Sequence, residues 1–325
     1  MQITNNSNIP LTLAVWAVDD TYDYVNNPNY ISVTTLLKPL KQIILGRRID
    51  NDQIAHDVED YVASALGSTI HAGIENAWCQ RYKENLKTLG YPDSVIERVL
   101  INPESEQLAL VKHPIPIYIE QRYKKEFNGF TIGGKTDMVA EGMLQDNKST
   151  SVYSYIFGSK DEDYIKQGSL YRWLKPDIIT EDYIRINFIF TDWSKAEAKR
   201  NRDYPQHRLI SRDLPLWSIT QTEQYIEHKL DLIKKFMDAP EDRIPDCTDE
   251  ELWRSPPKYK YYSNPLKTDG RSTKNFDSAE EANKFLVNEK GGKGIVIMQP
   301  GEVKRCQYCY AASICEQRKR YFPDD

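Results

Sequence analysis

The sequence has none of the long apolar runs that mark a membrane protein. No stretch approaches the roughly 20 residues that a membrane-spanning helix needs, and the polar start MQITNNSNIP lacks the apolar core of a secretory signal. Internal repeats and low-complexity segments are also missing. We therefore expect a soluble, cytoplasmic protein without a membrane partner.

An excess of positive charge is missing as well. The 43 Lys and Arg residues are outnumbered by 48 Asp and Glu, so the formal net charge is -5. Any nucleic-acid site must then be a local patch. Cysteine is scarce too: there are five, and three of them lie together in CQYCYAASIC. In a reducing compartment this favours a metal or cluster site over a disulfide framework.

The length of 325 residues allows one enlarged α/β domain with an appendage. Near residue 240 the composition changes, and a small strand–helix–strand pattern follows. We predict an N-terminal arm and basic helix over 1–55, an α/β core over 56–240 and a small C-terminal α+β appendage over 241–325. The first 30 residues are expected to be irregular or to form a short strand. The following helix is interrupted at Pro39, and its basic residues form either a solvated surface or a DNA contact: Lys38, Lys41, Arg47 and Arg48.

The most informative stretch is TIGGKTDMVAEGMLQDNKST, residues 131–150. Two strand-like runs flank Glu141-Gly142, which is typical of a tight hairpin turn. A two-residue loop pairs 140 with 143 and therefore places Asp137 opposite Asp146, with Lys148 on the same face. Two opposed carboxylates are unfavourable unless a cation lies between them. A bridging divalent ion would resolve the conflict, and a loop longer by one residue would remove the opposition.

Two further segments carry candidate ligands. The helical period over 57–89 is broken at 67–69, so we predict a second helix from Ile70 to about Lys87, with His71 and Glu75 one turn apart. Alone, this pair is equally typical of a surface contact. The alternating strand 116–124 carries Glu120, which is either a ligand, a supporting carboxylate or the ion-pair partner of Arg122 or Lys124.

A predicted helix over 163–174 places Gln167 and Tyr171 four residues apart on one face. The run 184–190 is apolar and predicts a buried strand. Behind it lies the most basic stretch of the chain, which is either a polyanion-binding groove or a solvated, disordered loop. Its candidate DNA-binding residues are Lys195, Lys199, Arg200, Arg202, Arg208 and Arg212.

Together, these motifs resemble the RecB branch of the PD-(D/E)XK nucleases. The resemblance rests on their order along the chain: His71xxxGlu75, Gly134xxAsp137, Asp146-Asn147-Lys148 and Gln167xxxTyr171. It implies a PD-(D/E)XK α/β core, a mixed central sheet flanked by helices, around one metal site. Thr136 departs from the proline of the family name, at a position where only size matters.

The resemblance implies a role for each motif. Asp137 and Asp146, the Asn147 backbone carbonyl and His71 would hold one or two Mg²⁺ or Mn²⁺ ions, with Glu120 as a further ligand. Glu75 would orient His71 or hold a metal-bound water. Lys148 would lie beside the attacking water. Gln167 and Tyr171 would position the water and the DNA strand.

The cysteines resemble the clamp of the cluster-bearing members of this family. These members include AddB-type, CRISPR-adaptation and phage exonucleases. The resemblance implies a structural [4Fe-4S] cluster on Cys247, Cys306, Cys309 and Cys315. A structural Zn²⁺ on the same residues is the alternative. Cys79 could compete as a ligand, but an unpaired cysteine on a helix is more often a buried apolar residue.

The implied function is a metal-dependent DNA exonuclease acting on single strands or DNA ends in phage or bacterial recombination, repair or replication. It would work in the cytoplasm, that of the host if the chain is phage-encoded. DNA is the implied partner, with a helicase or a single-strand annealing or recombination protein beside it. The alternative is a catalytically silent DNA-binding or recombination partner of the same fold.

Overall fold

The computed structural model describes residues 2–20, 23–49 and 55–323. The chain forms two compact units: Met1–Lys38 with Asp50–Leu232, and Pro39–Ile49 with Ile233–Asp325. The sequence placed the boundary near 240 and assigned the whole segment 1–55 to an N-terminal arm. In the structure the boundary follows Leu232, and Pro39–Ile49 belongs to the second unit. Among the described residues no helix is both long enough and apolar enough to cross a membrane.

The strands are β1 (Gln2–Thr4), β2 (Tyr30–Ser32), β3 (Ala55–Asp57), β4 (Val99–Ile101), β5 (Ile115–Phe127), β6 (Phe130–Ala140), β7 (Met143–Thr150), β8 (Tyr183–Phe190), β9 (Leu209–Pro215), β10 (Lys258–Tyr262), β11 (Lys274–Phe276) and β12 (Ile295–Gln299). The α-helices are α1 (Leu11–Ala17), α2 (Val33–Leu36), α3 (Leu40–Gly46), α4 (Val62–Thr88), α5 (Asp93–Ile96), α6 (Ser105–Leu110), α7 (Val152–Phe157), α8 (Asp161–Leu174), α9 (Lys195–Arg200), α10 (Ile219–Phe236), α11 (Ala279–Lys284) and α12 (Glu316–Lys319).

The first unit is mixed α/β, as the sequence predicts. Within the described residues its main sheet has seven strands in the order β4-β5-β6-β7-β8-β9, with β2 beside β6. Strand β6 is antiparallel to β5 and β7, and β8 is antiparallel to β9. The pairs β4–β5, β2–β6 and β7–β8 are parallel. The buried residues of β8 alternate along the strand, and α8 contributes the fully buried Leu170 and Trp173 to the core. The predicted buried strand at 184–190 is therefore confirmed.

The two-residue turn between β6 and β7 is confirmed. Ala140 pairs with Met143 and Met138 with Gln145. Glu141 and Gly142 both have positive φ, 50° and 83°, as a type I′ turn requires. Over these pairs the register is the predicted one, but the ladder ends before the predicted pair Asp137–Asp146.

Beyond this short ladder, β7 leaves β6. The ladder ends at Met138 and Gln145, and β7 continues beside β8 from Leu144 to Thr150. Strand β2 takes over the same edge of β6 at its other end. At the point of separation the backbone N–H of Asn147 donates to Asp137 Oδ2 at 2.8 Å. A carboxylate thus replaces a strand carbonyl where the two strands part.

Two local predictions in the first unit are wrong. The helix that carries His71 does not break at 67–69: α4 runs through these residues and has its kink at Arg81, where φ is −137°. A glycine within a helix costs only about 1 kcal/mol, and Thr69 Oγ1 donates back to the Ala65 carbonyl instead of capping a new helix. The irregular arm contains helix α1, because Ala14 and Ala17 are buried against Val58.

The second unit contains a three-stranded sheet with β10 between β11 and β12, and helix α11 beside it. Tyr261 on β10 packs edge-on against Phe285, which directly follows α11, at 5.1 Å between ring centroids. The same unit includes α3, which begins after Pro39 as predicted. Lys41 on α3 is buried and pairs with Asp246 at 2.7 Å. The expected place of Lys41 on a basic surface is therefore wrong.

Candidate functional site

Three side chains of ligand type converge in the first unit. His71 comes from α4, Glu120 from β5 and Asp137 from β6, and one ligand atom of each lies within 4.8 Å of the others. His71 Nδ1 is 3.3 Å from Asp137 Oδ2. All three side chains are half-buried. An imidazole nitrogen with two carboxylate oxygens at this spacing can hold one divalent ion.

Glu120 reaches this site because of a second tight turn. Asn128-Gly129, with φ 49° and 78°, joins β5 to β6 and pairs Phe127 with Phe130. The same register brings Glu120 opposite Asp137, between the paired positions Ile119–Met138 and Gln121–Thr136. The Asn-Gly pair is a strong hairpin signal. It is the feature of the sequence from which this pairing could have been predicted.

The backbone of Glu120 is left-handed, with φ 52°. For a residue other than glycine this costs about 1–3 kcal/mol and is most often found at functional sites. The Glu120 carboxylate also pairs with Lys135 at 2.5 Å. The expected ion pair with Arg122 or Lys124 is wrong, because the guanidinium of Arg122 reaches Asp23 and the ammonium of Lys124 lies over a tyrosine ring.

Asp146 and Lys148 form a second pair beside the first group. They share a face of β7, and Lys148 Nζ is 2.5 Å from Asp146 Oδ2. Asp146 is only 4% exposed. Its buried Oδ2 faces the ammonium of Lys148. A carboxylate offers about four lone-pair positions, so Asp146 can accept a cation beside Lys148.

The electrostatics of the site reflect the crowding of carboxylates. Burial, followed by repulsion from Asp146, raises the pKa of Asp137 to about 6, and His71 and the Asn147 N–H act in the opposite direction. For Lys148, burial acts to lower the pKa, but the carboxylates of Asp146 and Asp137 prevail and raise it. The metal-free site therefore carries a carboxylate whose ionisation is costly and an ammonium that stays charged.

Helix α8 supplies one wall. Gln167 Nε2 is 3.5 Å from Tyr171 Oη, and Tyr171 is buried. A Cβ on Gly134 would lie 2.5 Å from a Tyr171 ring carbon and 3.0 Å from Val33. The glycine three residues before Asp137 is thus required by close packing.

The remaining candidate residues differ in their exposure and contacts. Glu75 is exposed on α4 and is not part of the group formed by His71, Glu120 and Asp137. The Asn147 side-chain oxygen accepts from Asn187 at 3.2 Å. Cys79 packs against the apolar cluster around Ile119 and Met138, so the expectation that it is a packing residue is confirmed.

The predicted polyanion-binding stretch is not a disordered loop, because it contains α9 and β9. Five of its six basic residues are exposed, and Arg200 among them pairs with Glu197. The sixth, Arg212, is half-buried: it pairs with Asp161 at 2.7 Å and donates to the Tyr155 carbonyl. Arg212 therefore serves the packing of the first unit.

In the second unit the four cysteines of the predicted clamp line one cavity of about 30 Å³: Cys247, Cys306, Cys309 and Cys315. All four are free thiols. Burial, then repulsion from Glu251 and from the other three thiols, raises the pKa of Cys247 to about 12. No three of these sulfurs lie within 4.8 Å of one another.

Comparison with known proteins adds little to this geometry. No family model matches the chain, and no curated protein matches it. Among solved structures, the one titled "Crystal structure of SSO0001" is similar, with a TM-score of 0.40 and 14% identity over 68% of this chain and 84% of that chain. A similarity at this level supports no conclusion, so the family resemblance stays a prediction.

Proposed function

We propose that this protein is a divalent-metal-dependent DNA exonuclease of the PD-(D/E)XK superfamily, RecB branch. The observation that carries the proposal is the convergence of His71, Glu120 and Asp137 beside the buried Asp146–Lys148 pair. Three separate elements, α4, β5 and β6, bring these ligand-type groups together. Packing alone does not explain such a concentration of carboxylates.

The residues present fit one or two Mg²⁺ or Mn²⁺ ions. Carboxylate oxygens suit both, and the imidazole of His71 favours Mn²⁺. Burial and repulsion from Asp146 raise the pKa of Asp137, and a cation between the two carboxylates would offset both effects. When bound, such an ion lowers the pKa of a water molecule and neutralises the scissile phosphate.

Each side chain would have a distinct role. His71, Glu120, Asp137 and Asp146 would hold the cation, and Lys135 fixes the Glu120 carboxylate. Lys148, kept charged by its carboxylate neighbours, donates to the oxygen on which negative charge develops. Gln167 is presented from α8 beside Tyr171, where its amide can donate to a water or a phosphate.

We further propose a structural [4Fe-4S] cluster on the four cysteines of the second unit. A zinc ion holds each sulfur at about 2.3 Å and therefore sets sulfurs about 3.8 Å apart in a tetrahedron. No three of the thiols here come within 4.8 Å of one another, and a cluster does not require this, because its cysteines bind separate iron atoms. Buried thiols with raised pKa values are also the groups whose ionisation a cationic centre would favour.

The nuclease proposal is tested by digesting 5′- and 3′-labelled single-stranded, duplex and circular DNA with Mg²⁺ and Mn²⁺ in parallel. Asp146→Asn and Lys148→Gln should each lose at least about 100-fold in rate because they remove electrostatic stabilisation of the transition state. Matched controls are Asp177→Asn and Lys175→Gln, an exposed ion pair with the same two-residue spacing, and they should keep full activity.

Metal-dependent hydrolysis that persists in the double variant Asp146→Asn/Lys148→Gln would exclude this site as the catalytic one. DNA binding by the wild-type protein without any product would instead favour the alternative, a catalytically silent recombination partner.

The cluster proposal has a separate test. Anaerobically purified protein should be brown and contain about four iron atoms and four sulfides, as the cluster formula requires. Cys309→Ala should lose the colour, whereas Cys79→Ala, which alters the packing cysteine of the first unit, should keep it. A colourless preparation with one zinc ion would support the Zn²⁺ alternative.

A further inference from the structure

Helix α7 presents two exposed aromatic rings on one face. Tyr153 is 62% exposed and Phe157 is 75% exposed. They are four residues apart, with ring centroids 6.3 Å apart and planes inclined by 18°. Ile156 beside them is also exposed. A contiguous apolar surface of this kind often marks a binding site.

The rings lie at the end of the strand that carries the candidate catalytic pair. Ser151 caps α7 directly after β7 ends at Thr150. The step from Lys148 to Thr150 spans about 7 Å at the rise of an extended strand. The aromatic pair is therefore close to the candidate metal site along the chain.

Strand β8 brings cations to the same edge. It runs parallel to β7, and Thr150 pairs with Phe190. The turn after β8 is joined to α7, since the Val152 N–H donates to the Asp192 carboxylate at 2.8 Å. Helix α9 follows at once and begins with Lys195. Aromatic rings and cations thus follow the C-terminal ends of two neighbouring strands, one of which carries Asp146 and Lys148.

Several cations at this edge form no ion pair with a described residue. Lys160, Lys195, Lys199 and Arg202 are exposed, and none of them forms an ion pair with a described residue. Exposed rings beside unpaired positive charges complement one kind of ligand in particular. A single nucleic-acid strand offers unpaired bases, which stack on rings, and phosphates, which attract the cations.

We propose that Tyr153 and Phe157 form a stacking platform for successive unpaired bases of a single DNA strand. The strand leads from the candidate metal site across α7 towards α9. The inference rests on the proposed function and narrows its substrate to single-stranded DNA or a single-stranded end. A paired duplex cannot use the platform, because its bases already stack on one another.

The test measures the affinity of the full-length protein for a fluorescent oligothymidylate by anisotropy, in EDTA, so that binding is separated from hydrolysis. Tyr153→Ala and Phe157→Ala should each weaken binding by roughly 5- to 150-fold, which corresponds to the loss of one base–aromatic stack. Tyr153→Phe and Phe157→Tyr should retain the affinity. Tyr91→Ala, which removes a ring that is 50% exposed elsewhere in the first unit, should leave it unchanged. A blunt duplex should bind all variants equally.

Unchanged oligothymidylate affinity in both alanine variants would overturn the platform alone. An equal loss on the blunt duplex would overturn it too, and so would an altered oligomeric state with unaltered DNA binding, which would assign α7 to a protein interface. If the wild-type protein does not bind the oligothymidylate at all, both proposals fail. Ring-dependent binding without hydrolysis in Mg²⁺ or Mn²⁺ would uphold the platform and reject the nuclease.

Discussion

Gln317 holds the backbone of Cys247 with both ends of its side-chain amide. The Cys247 N–H donates to Gln317 Oε1 at 2.8 Å, and Gln317 Nε2 donates to the Cys247 carbonyl at 2.9 Å. Gln317 is 2% exposed. Cys247 lies far in sequence from the other three cysteines of the cavity. A buried amide therefore fixes the remote cysteine in the manner of a strand partner.

Gln317→Ala should lower the free energy of unfolding by about 2–5 kcal/mol, because it leaves two buried backbone groups without partners. The iron content of anaerobically purified protein should fall with it, since Cys247 is no longer held in place. Both are measured directly, by urea unfolding and by iron analysis. Gln307→Ala, an exposed glutamine next to Cys306, should change neither. Full iron content in Gln317→Ala would show that the clamp is dispensable.

Gly134→Ala should destabilise the first unit by about 1–3 kcal/mol, the usual cost of overpacking. The added methyl group would meet the Tyr171 ring and Val33. Gly73→Ala is the matched control, and its expected change in the free energy of unfolding has the opposite sign. Nothing lies within 4 Å of its added Cβ, so the better helix propensity of alanine should stabilise α4 by about 1 kcal/mol. Thermal melts of both variants test this pair; a neutral Gly134→Ala would mean that the strand can shift away from α8.

The raised pKa of Asp137 predicts an unusual pH dependence for the metal-free protein. A carboxyl group whose folded pKa, about 6, exceeds its ordinary value of 3.8 contributes stability at low pH and loses it as the pH rises through 6. Relative to Asp137→Asn, the wild type should therefore become less stable between about pH 4 and pH 7 in EDTA. The asparagine oxygen can still accept from the Asn147 N–H.

Urea unfolding across this pH range measures the effect. The comparison of wild type with Asp177→Asn should show no slope in this range. The hydrogen bond from Lys175 lowers the pKa of Asp177 below its ordinary value of 3.8, so that its contribution to stability is lost only as the pH falls below about 4. Added Mn²⁺ should stabilise the wild type and not Asp137→Asn. A wild-type protein that gains stability over Asp137→Asn as the pH rises would contradict the assigned electrostatics.

Glu120 has a strained left-handed backbone and a carboxylate placed to bind the metal ion. Two substitutions separate the effects of these two features. Glu120→Gly removes both the left-handed strain and the carboxylate, whereas Glu120→Gln removes only the charge. The glycine variant should be more stable than the glutamine variant by about 1 kcal/mol. Both should bind Mn²⁺ about equally weakly in calorimetric titrations, because both lack the carboxylate ligand.

Glu141 offers the control for this comparison. It has φ 50° in an exposed turn and belongs to no ligand group, so Glu141→Gly should gain similar stability without any change in Mn²⁺ affinity. Unaltered Mn²⁺ affinity in Glu120→Gln would remove Glu120 from the site.

The sequence predicts the β6–β7 hairpin because a two-residue loop fixes the register by simple counting. A two-residue loop at Asn128-Gly129 fixes the β5–β6 register in the same way and places Glu120 opposite Asp137. The position of Glu120 beside Asp137 could therefore also be predicted from the sequence. The left-handed backbone of Glu120 could not. It depends on contacts between strands and not on a local residue preference.

Two errors show where local patterns stop being informative. Gly67 is a weak helix former, but its cost of about 1 kcal/mol does not break a helix that continues on both sides of it. From its neighbours in sequence, Lys41 is predicted to be one of several surface cations. It is buried instead, because it pairs with Asp246, 205 residues away in sequence. A pairing at that distance leaves no trace in the neighbouring residues.

The second unit is built from two separate segments of the chain, and this affects how the chain folds during synthesis. Helix α3 is made early, but its unit is completed only by residues after Leu232. At 5–20 residues per second, ribosomes need about 10–40 s to cover the intervening chain. Throughout that interval the apolar residues Leu40, Ile43, Ile44 and Leu45 lack the later part of their unit. This short segment therefore exposes apolar surface in the nascent chain until the rest of its unit has been made.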